Sequence, residues 1–153
     1  MKKSIKIINW VNLALAVFAV ILEAFPNSIK LGRYASRGGK IVVLYSFTSY
    51  FSSPKLWGHP FLLIAIIAAF LTIFGLLIFL ISCIKGGKGL SIFAVIVTAL
   101  AFLVNLFLTI ACGVDSTAFN ILVLIIQFTQ LVLSSINLSW INKSKLVMAE
   151  AAE

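Results

Sequence analysis

Few side chains in this chain could carry out acid–base or metal chemistry. Among its 153 residues there are one histidine, His59, and four acidic residues. Glu150 and Glu153 lie in the C-terminal tail and Asp115 lies in a short turn. General acid–base catalysis needs a positioned pair of such groups and a metal needs converging ligands, yet only Glu23 and His59 could form a couple. We therefore predict a protein that is not an enzyme, with no cofactor and no metal site.

Glu23 ends the first long apolar run of the chain and is followed by Phe25 and Pro26. A carboxylate is costly in the bilayer interior, and water or a nearby cation stabilises it at the surface. The segment that follows contains Arg33 and Arg37. We therefore expect Glu23 at the membrane interface, as the charge partner of an arginine in that segment.

Polar and small side chains recur at helical spacing in two later apolar runs, so each set should share one inward-facing helix face. Asn105 and Gln127 each lie about fourteen residues from the predicted inner end of their run, or roughly 21 Å along a helix, and a hydrogen bond between them is expected. Asn12 and Asn137 should likewise share the inner level. The two stripes are Ala94, Thr98, Ala101, Asn105 and Cys112, and Asn120, Gln127, Gln130, Ser134 and Asn137.

Two interpretations of these intramembrane polar residues stay open. Amide pairs between membrane helices stabilise association by about 0.6 to 2 kcal/mol, so the stripes can simply hold helices together. Alternatively, Asn105, Gln127 and Gln130 line a pathway for a polar ligand or an ion.

The segment between the first two apolar runs is basic and aromatic. Five basic residues face only Glu23 nearby, which gives a net charge of +4 with His59 neutral. Such a surface attracts lipid headgroups, acidic wall polymers or an acidic partner protein, although the same charges could simply protect a solvated strand edge from aggregation. Nucleic-acid binding is not expected on the outer side of a membrane. The predicted partner-binding residues are Arg33, Arg37, Tyr45, Phe47 and Tyr50.

Four continuous apolar runs must position these groups. The chain is 62% hydrophobic with a mean hydropathy of +1.17, beyond the composition of soluble domains. A bilayer core of roughly 30 Å needs about 20 helical residues, and unbroken apolar runs lack the alternation of a membrane barrel. We predict a single membrane domain, residues 1–153, that forms an all-α bundle of four transmembrane helices. The predicted spans are about 7–25, 60–84, 90–112 and 118–141.

The predicted outer loop, 26–59, is the one soluble segment long enough to fold. Residues 41–51 are rich in β-branched and aromatic side chains, which favours a strand. Gly38 and Gly39 can adopt the positive φ angles of a tight hairpin turn. We predict a small extracellular β-hairpin over 28–52. Because an isolated hairpin is marginally stable in water, it should lie on the bundle, pair with another strand, or both.

Orientation follows from the basic residues near the predicted spans. With the N-terminus inside, the cytoplasmic segments contain seven lysines, against five basic residues in the first loop and none in the third. The positive-inside rule then favours cytoplasmic N- and C-termini. We predict a multi-pass protein of the plasma (cytoplasmic) membrane.

The layout resembles the claudin-like tetraspan plan in topology. Trp57-Gly58 is present, but the loop cysteines of claudins are absent, so their sealing function does not transfer. The segment Tyr45 to Pro54 with Trp57 to Phe61 is also similar to small, functionally uncharacterised four-span proteins of Gram-positive-type bacteria. The small multidrug resistance family has four spans too, with a glutamate embedded in the first helix. The position of Glu23 and the loop of about 35 residues depart from that family's pattern.

These observations predict an integral membrane protein that binds, assembles or has a structural role through its basic outer loop. The expected partners are the lipid bilayer, a second copy or another membrane protein, and an anionic lipid or acidic wall polymer. The alternative function is a small transporter or channel with a polar pathway between helices 3 and 4.

Overall fold

The computed structural model describes residues 2–24, 30–35, 41–45, 60–112 and 118–150, and side chains within 3–24, 63–110 and 121–144. These residues form helices and two short strands. In chain order the elements are α1 (Lys2–Ala24), β1 (Lys30–Ala35), β2 (Ile41–Tyr45), α2 (Pro60–Ile84), α3 (Lys88–Cys112) and α4 (Ala118–Glu150).

All four helices are long and apolar enough to cross a membrane. The qualifying segments are Lys3–Ala24, Leu63–Ile84, Lys88–Ile110 and Ile121–Ser144, and each exceeds the roughly 30 Å of a bilayer core at ~1.5 Å per residue. The prediction of four membrane-length helices is confirmed, and it indicates a multi-pass membrane protein. α4 continues to Glu150, beyond the predicted end at residue 141. No glycine or proline follows Ile141 to stop the helix.

The described side chains are distributed in the opposite way to those of a soluble protein. The buried positions hold mostly alanine, serine, threonine and amides, among them Ala19 and Ala68 at 0% exposure. Large apolar side chains point outward, such as Phe70 at 63% and Ile110 at 71% exposure. Small residues let helix backbones approach closely, and the outward apolar surface suits lipid.

The helices form a closed square in which each contacts two neighbours. α1 lies between α2 and α4, and α3 lies between the same two helices on the opposite side. α1 and α3 are therefore one diagonal pair, and α2 and α4 are the other. Two apolar clusters fill the contacts beside α1. One consists of Ala16, Ile78, Phe79, Ala94 and Val97, and the other of Ala19, Leu22, Val123 and Ile126.

The turn between α2 and α3 is short and depends on two glycines. Gly86 and Gly87 have φ angles of 62° and 128°, values that side chains with a Cβ rarely adopt. The Gly86 N–H donates to the Ser82 carbonyl at 3.1 Å, and the Ser91 N–H donates to the Gly87 carbonyl at 3.1 Å. We call this end of the bundle the turn end and the opposite end the loop end.

β1 and β2 pair antiparallel, and β1 lies beside α3. Lys30 is opposite Tyr45 and Ala35 is opposite Ile41, with a register shift between Leu31 and Tyr34. Both strands fall within the segment predicted as a hairpin, 28–52. The predicted turn at residues 38–39 and the segment 46–52 lie outside the described residues.

Candidate functional site

Four polar side chains, one from each helix, meet inside the bundle. The Thr72 hydroxyl donates to Glu23 Oε1 at 2.9 Å, and Gln127 Nε2 donates to Thr72 Oγ1 at 3.1 Å. Asn105 Nδ2 donates to Gln127 Oε1 at 3.0 Å and lies 3.4 Å from Glu23 Oε1. All four residues are at most 9% exposed. They close a ring of hydrogen bonds, which we call the central ring.

The central ring lies on the axis of the bundle. Asn105 and Glu23 join the diagonal helices α3 and α1, while Gln127 and Thr72 join the diagonal helices α4 and α2. Helices on a diagonal do not face each other directly, so their side chains can meet only near the centre. A displacement of any one helix would therefore break part of the ring.

The predicted interfacial position of Glu23 is wrong. Its side chain is 4% exposed and contacts residues well inside two other helices. Thr72 lies twelve residues from the start of α2 and Asn105 seven from the end of α3, or about 18 and 10 Å from those helix ends. α1 ends at Ala24, below the loop ends of its neighbours. Pairing of Glu23 with Arg33 or Arg37 lies outside the described side chains.

A spacing signal for Glu23 was present in the sequence. Asn9, Asn12, Ala16, Ala19 and Glu23 recur at intervals of 3, 4, 3 and 4 residues, the pattern of one helix face. All five are buried, with exposures of 0 to 6%. This is the same kind of stripe as those on α3 and α4, and it would have placed Glu23 inside the bundle.

A second group of buried polar residues joins α1, α2 and α4 nearer the turn end. Asn137 Nδ2 donates to Asn9 Oδ1 at 2.7 Å, and Asn9 Nδ2 donates to the Ser82 carbonyl at 3.1 Å. Asn12 Nδ2 donates to Ser134 Oγ at 3.3 Å. Asn12 Oδ1, Ser82 Oγ and Asn137 Oδ1 are buried without a hydrogen-bond partner among the described residues. This level therefore retains unused hydrogen-bonding capacity.

Gln130 bonds to the second group and lines a cavity beside the central ring. Its Nε2 donates to the Asn12 carbonyl at 3.1 Å. A cavity of about 10 Å³, enough for about one water molecule, lies between the groups and is lined by Thr72, Gln127 and Gln130. Polar groups thus follow each other along the axis from Glu23 to Asn9. We call this set the polar column; its members are Asn9, Asn12, Glu23, Thr72, Asn105, Gln127, Gln130, Ser134 and Asn137.

Asn105, Gln127 and Gln130 are buried, but the column is not confined to two helices; the side chains of Cys112 and Asn120 lie outside the described ones. The expected hydrogen bond between Asn105 and Gln127 is confirmed at 3.0 Å. Gln130 bonds to α1 rather than to α3. α1 and α2 also contribute to the column, through Glu23 and Thr72, and a pathway between helices 3 and 4 stays a prediction. Sequence spacing shows the inward face of each helix but not which helices are neighbours.

The predicted partner-binding residues belong to the strand segment. Arg33 lies in β1 and Tyr45 in β2, where the backbone alone is described. Arg37, Phe47 and Tyr50 lie outside the described residues. Within the part of the chain that is described, no three His, Cys, Asp or Glu side chains form a group that could hold a metal ion.

Asn9→Leu is expected to lower the free energy of unfolding by about 1 to 2 kcal/mol. The change removes the bonds to Asn137 and Ser82, and membrane amide bonds are of this strength. Asn9→Leu combined with Asn137→Leu should cost less than the sum of the two single changes, because it leaves no orphaned amide at position 137. Denaturation in detergent micelles measures all three variants. Additive costs would contradict a direct Asn9–Asn137 interaction.

Comparison with known proteins gave no matching family model, curated protein or solved structure.

Proposed function

We propose that this chain is a small transporter, without enzymatic activity, that carries an ion or small polar solute across the membrane along the polar column. The observation that supports the proposal is the column itself, which follows the axis from Glu23 to Asn9 and involves all four helices. Association of the four helices requires few polar contacts, because small residues already let these helices approach closely. Helix association alone therefore does not account for the whole column. An ionisable group inside a membrane bundle is a strong indication of a substrate or proton pathway.

The described conformation is closed. The cavity beside Thr72 and Gln127 has room for about one water molecule, and most of the rest of its wall is apolar, with Leu71, Phe79 and Val97 among the lining residues. Transport by this bundle therefore proceeds through exchange of hydrogen bonds and small helix displacements rather than through an open pore. The central ring is the constriction, because its bonds cross both diagonals.

Proteoliposomes test this proposal. The purified chain is reconstituted, and fluxes of protons, of monovalent cations and of small polar solutes are measured under imposed pH and voltage gradients. We expect at least one flux above that of protein-free vesicles and dependent on the amount of protein. The absence of flux under every gradient would contradict transport.

A second function, binding and assembly, is favoured by the strand pair. β1 and β2 pair beside α3, and each has one edge that is not paired with another described strand. A free strand edge can accept an extended segment of a partner or of a second copy. The loop's net charge of +4 would add attraction for an acidic partner, an anionic lipid or an acidic wall polymer. Arg33, Arg37, Tyr45, Phe47 and Tyr50 are the contact candidates.

Removal of residues 28–52 is expected to abolish association with any partner that binds through the strands. Gentle copurification from native membranes, followed by mass identification of proteins and lipids, compares this variant with the intact chain. A full-length control, Arg33→Gln with Arg37→Gln, lowers the loop charge by two without shortening the loop. Loss of the partner in the control as well would show that binding depends on the positive charge of Arg33 and Arg37. Unchanged association in both variants would contradict this function.

Sidedness and location belong to the same proposal. The N- and C-termini lie in the cytoplasm, because seven lysines flank the turn end and the termini against five basic residues in the first loop. The loop end then faces outward at the plasma membrane of a bacterium. The likeness of residues 45–61 to small bacterial four-span proteins supports this assignment.

A further inference from the structure

Glu23 is the one acidic residue within the four membrane-length segments of this sequence. It is 4% exposed, and it lies where α2, α3 and α4 converge on α1. The Thr72 hydroxyl beside it is within hydrogen-bond distance of two acceptors, Glu23 Oε1 at 2.9 Å and the Ala68 carbonyl at 3.1 Å. A hydroxyl has one hydrogen to donate, so it can serve one of these acceptors at a time.

We propose that the Glu23 carboxyl is a proton-binding site within the membrane and that Thr72 is its positioning residue, satisfying both protonation states. The inference rests on the proposed function, because it identifies the proton as an ion bound in the polar column. Proton binding is nevertheless measurable without any transport assay.

In the ionised state the central ring supplies donors to the carboxylate. The Thr72 hydroxyl and Asn105 Nδ2 both donate to Glu23 Oε1, at 2.9 and 3.4 Å. Gln127 holds these two donors in place, since it donates to Thr72 Oγ1 and accepts from Asn105 Nδ2. Hydrogen bonds to a charged acceptor are roughly twice as strong as neutral ones. The geometry therefore stabilises a charge that burial alone would disfavour.

In the protonated state the same atoms make a different set of bonds. The new Glu23 O–H donates to Thr72 Oγ1, and the Thr72 hydroxyl rotates to donate to the Ala68 carbonyl, already 3.1 Å away. Thr72 Oγ1 continues to accept from Gln127 Nε2. Together with the bond from Glu23 and the bond to Ala68, this uses both acceptor positions and the single hydrogen of the Thr72 hydroxyl. No heavy atom has to move. The proton is taken from water and returned to it, and no covalent bond between heavy atoms changes.

The ionisable groups on the helices around Glu23 lie toward other levels of the bundle. They are Lys2, Lys3 and Lys6 on α1, Cys83 on α2 with Lys85 just after it, Lys88 and Cys112 on α3, and Lys143, Lys145 and Glu150 on α4. All except Cys112 are at the turn end, and Cys112 lies seven residues beyond Asn105. β1, which lies beside α3, adds Lys30, Arg33 and Tyr34, of which the backbone alone is described. The contacts that the described side chains make with Glu23 include the uncharged Thr72 and Asn105.

Dicyclohexylcarbodiimide provides a direct test on the full-length chain in micelles or vesicles. This membrane-permeant reagent adds to a protonated carboxyl group and rearranges to a stable N-acylurea, with no leaving group. Labelling is measured by peptide mass mapping across a pH series that spans neutrality. We expect Glu23 to be labelled and its labelling to fall as pH rises. Absence of the Glu23 adduct at every pH, or labelling that does not depend on pH, would overturn the proposal.

Variants separate the two residues' roles. Glu23→Gln should remove this adduct, because the amide does not react. Thr72→Val should move the pH of half-maximal labelling upward by about one unit, tenfold in proton concentration, since the ionised state loses the stronger hydrogen bond. Thr72→Ser keeps the hydroxyl and should restore the original midpoint. Equal midpoints in the valine and serine variants would overturn the role of Thr72, whether or not Glu23→Gln folds.

The labelling and flux results are independent. Flux without pH-dependent labelling of Glu23 would overturn the proton site and leave transport of another ion or solute. Labelling without any flux would support the proton site and contradict the proposed transport function.

Discussion

Replacing Gln127 by leucine is expected to lower flux through reconstituted vesicles at least about tenfold. Gln127 makes two hydrogen bonds within the central ring, to Thr72 and to Asn105, each contributing about 1 kcal/mol. Leucine has a similar length but can neither donate nor accept, so an ion or solute that passes the ring loses the hydrogen bonds that Gln127 would exchange with it. A barrier raised by about 1.4 kcal/mol corresponds to a tenfold slower passage. The measurement is initial flux per reconstituted protein under the gradient that drives the wild-type chain.

Thr129→Val is the matched control for this variant. Thr129 is also a polar residue of α4, but it is exposed and its hydroxyl donates to the Ile125 carbonyl of its own helix at 2.8 Å. Its replacement removes a polar group from the outer face and leaves the polar column intact. Flux should remain within about twofold of wild type. Wild-type flux in Gln127→Leu, or equal losses in both variants, would contradict passage through the column.

Ala19→Phe is expected to destabilise the bundle by about 3 kcal/mol, the upper end of the usual range for overpacking. Ala19 is 0% exposed and belongs to the apolar cluster with Leu22, Val123 and Ile126. A phenyl ring there would force α1 away from α4 and would separate the polar pairs on either side along α1. Titration with a denaturing detergent, followed through tryptophan fluorescence, measures the free energy of unfolding.

Ala14→Phe tests whether this loss depends on the interface. Ala14 is on the same helix and has the same side chain, but it is exposed on the outer surface of the bundle. A phenyl group there faces lipid or detergent, so the free energy of unfolding should change by less than about 0.5 kcal/mol. Equal losses at positions 14 and 19 would contradict the packing of α1 against α4.

Much of the helical architecture could be predicted from the sequence because membrane spans obey a simple length rule. Residue spacing also identified the inward faces of α3 and α4, and equal depth correctly paired Asn105 with Gln127. These features depend on one helix at a time, or on two helices of similar length joined by a short turn. Such local regularities are visible in a single sequence.

The central ring could not be predicted in full because it depends on where each helix sits relative to the others. The sequence predicts Glu23 at the membrane interface because it lies at the end of an apolar run. That prediction assumes that all four helices end at the same depth. α1 instead ends beside the interior of α2 and α3. Thr72 was overlooked because a threonine within a long apolar run is usually satisfied by its own helix. It makes such a contact with Ala68, but it also reaches Glu23.

The pairing of the first helix with the last constrains how the chain can be synthesised. Asn12 and Asn9 bond to residues 122 and 128 positions later. A ribosome that adds 5 to 20 residues per second needs about 6 to 25 seconds to make that intervening length. During this interval the amides of the newly inserted first helix lack their final partners. Nascent chains interrupted before α4 should therefore be retained by the insertion machinery or degraded, because the bundle can be completed only after α4 has been made.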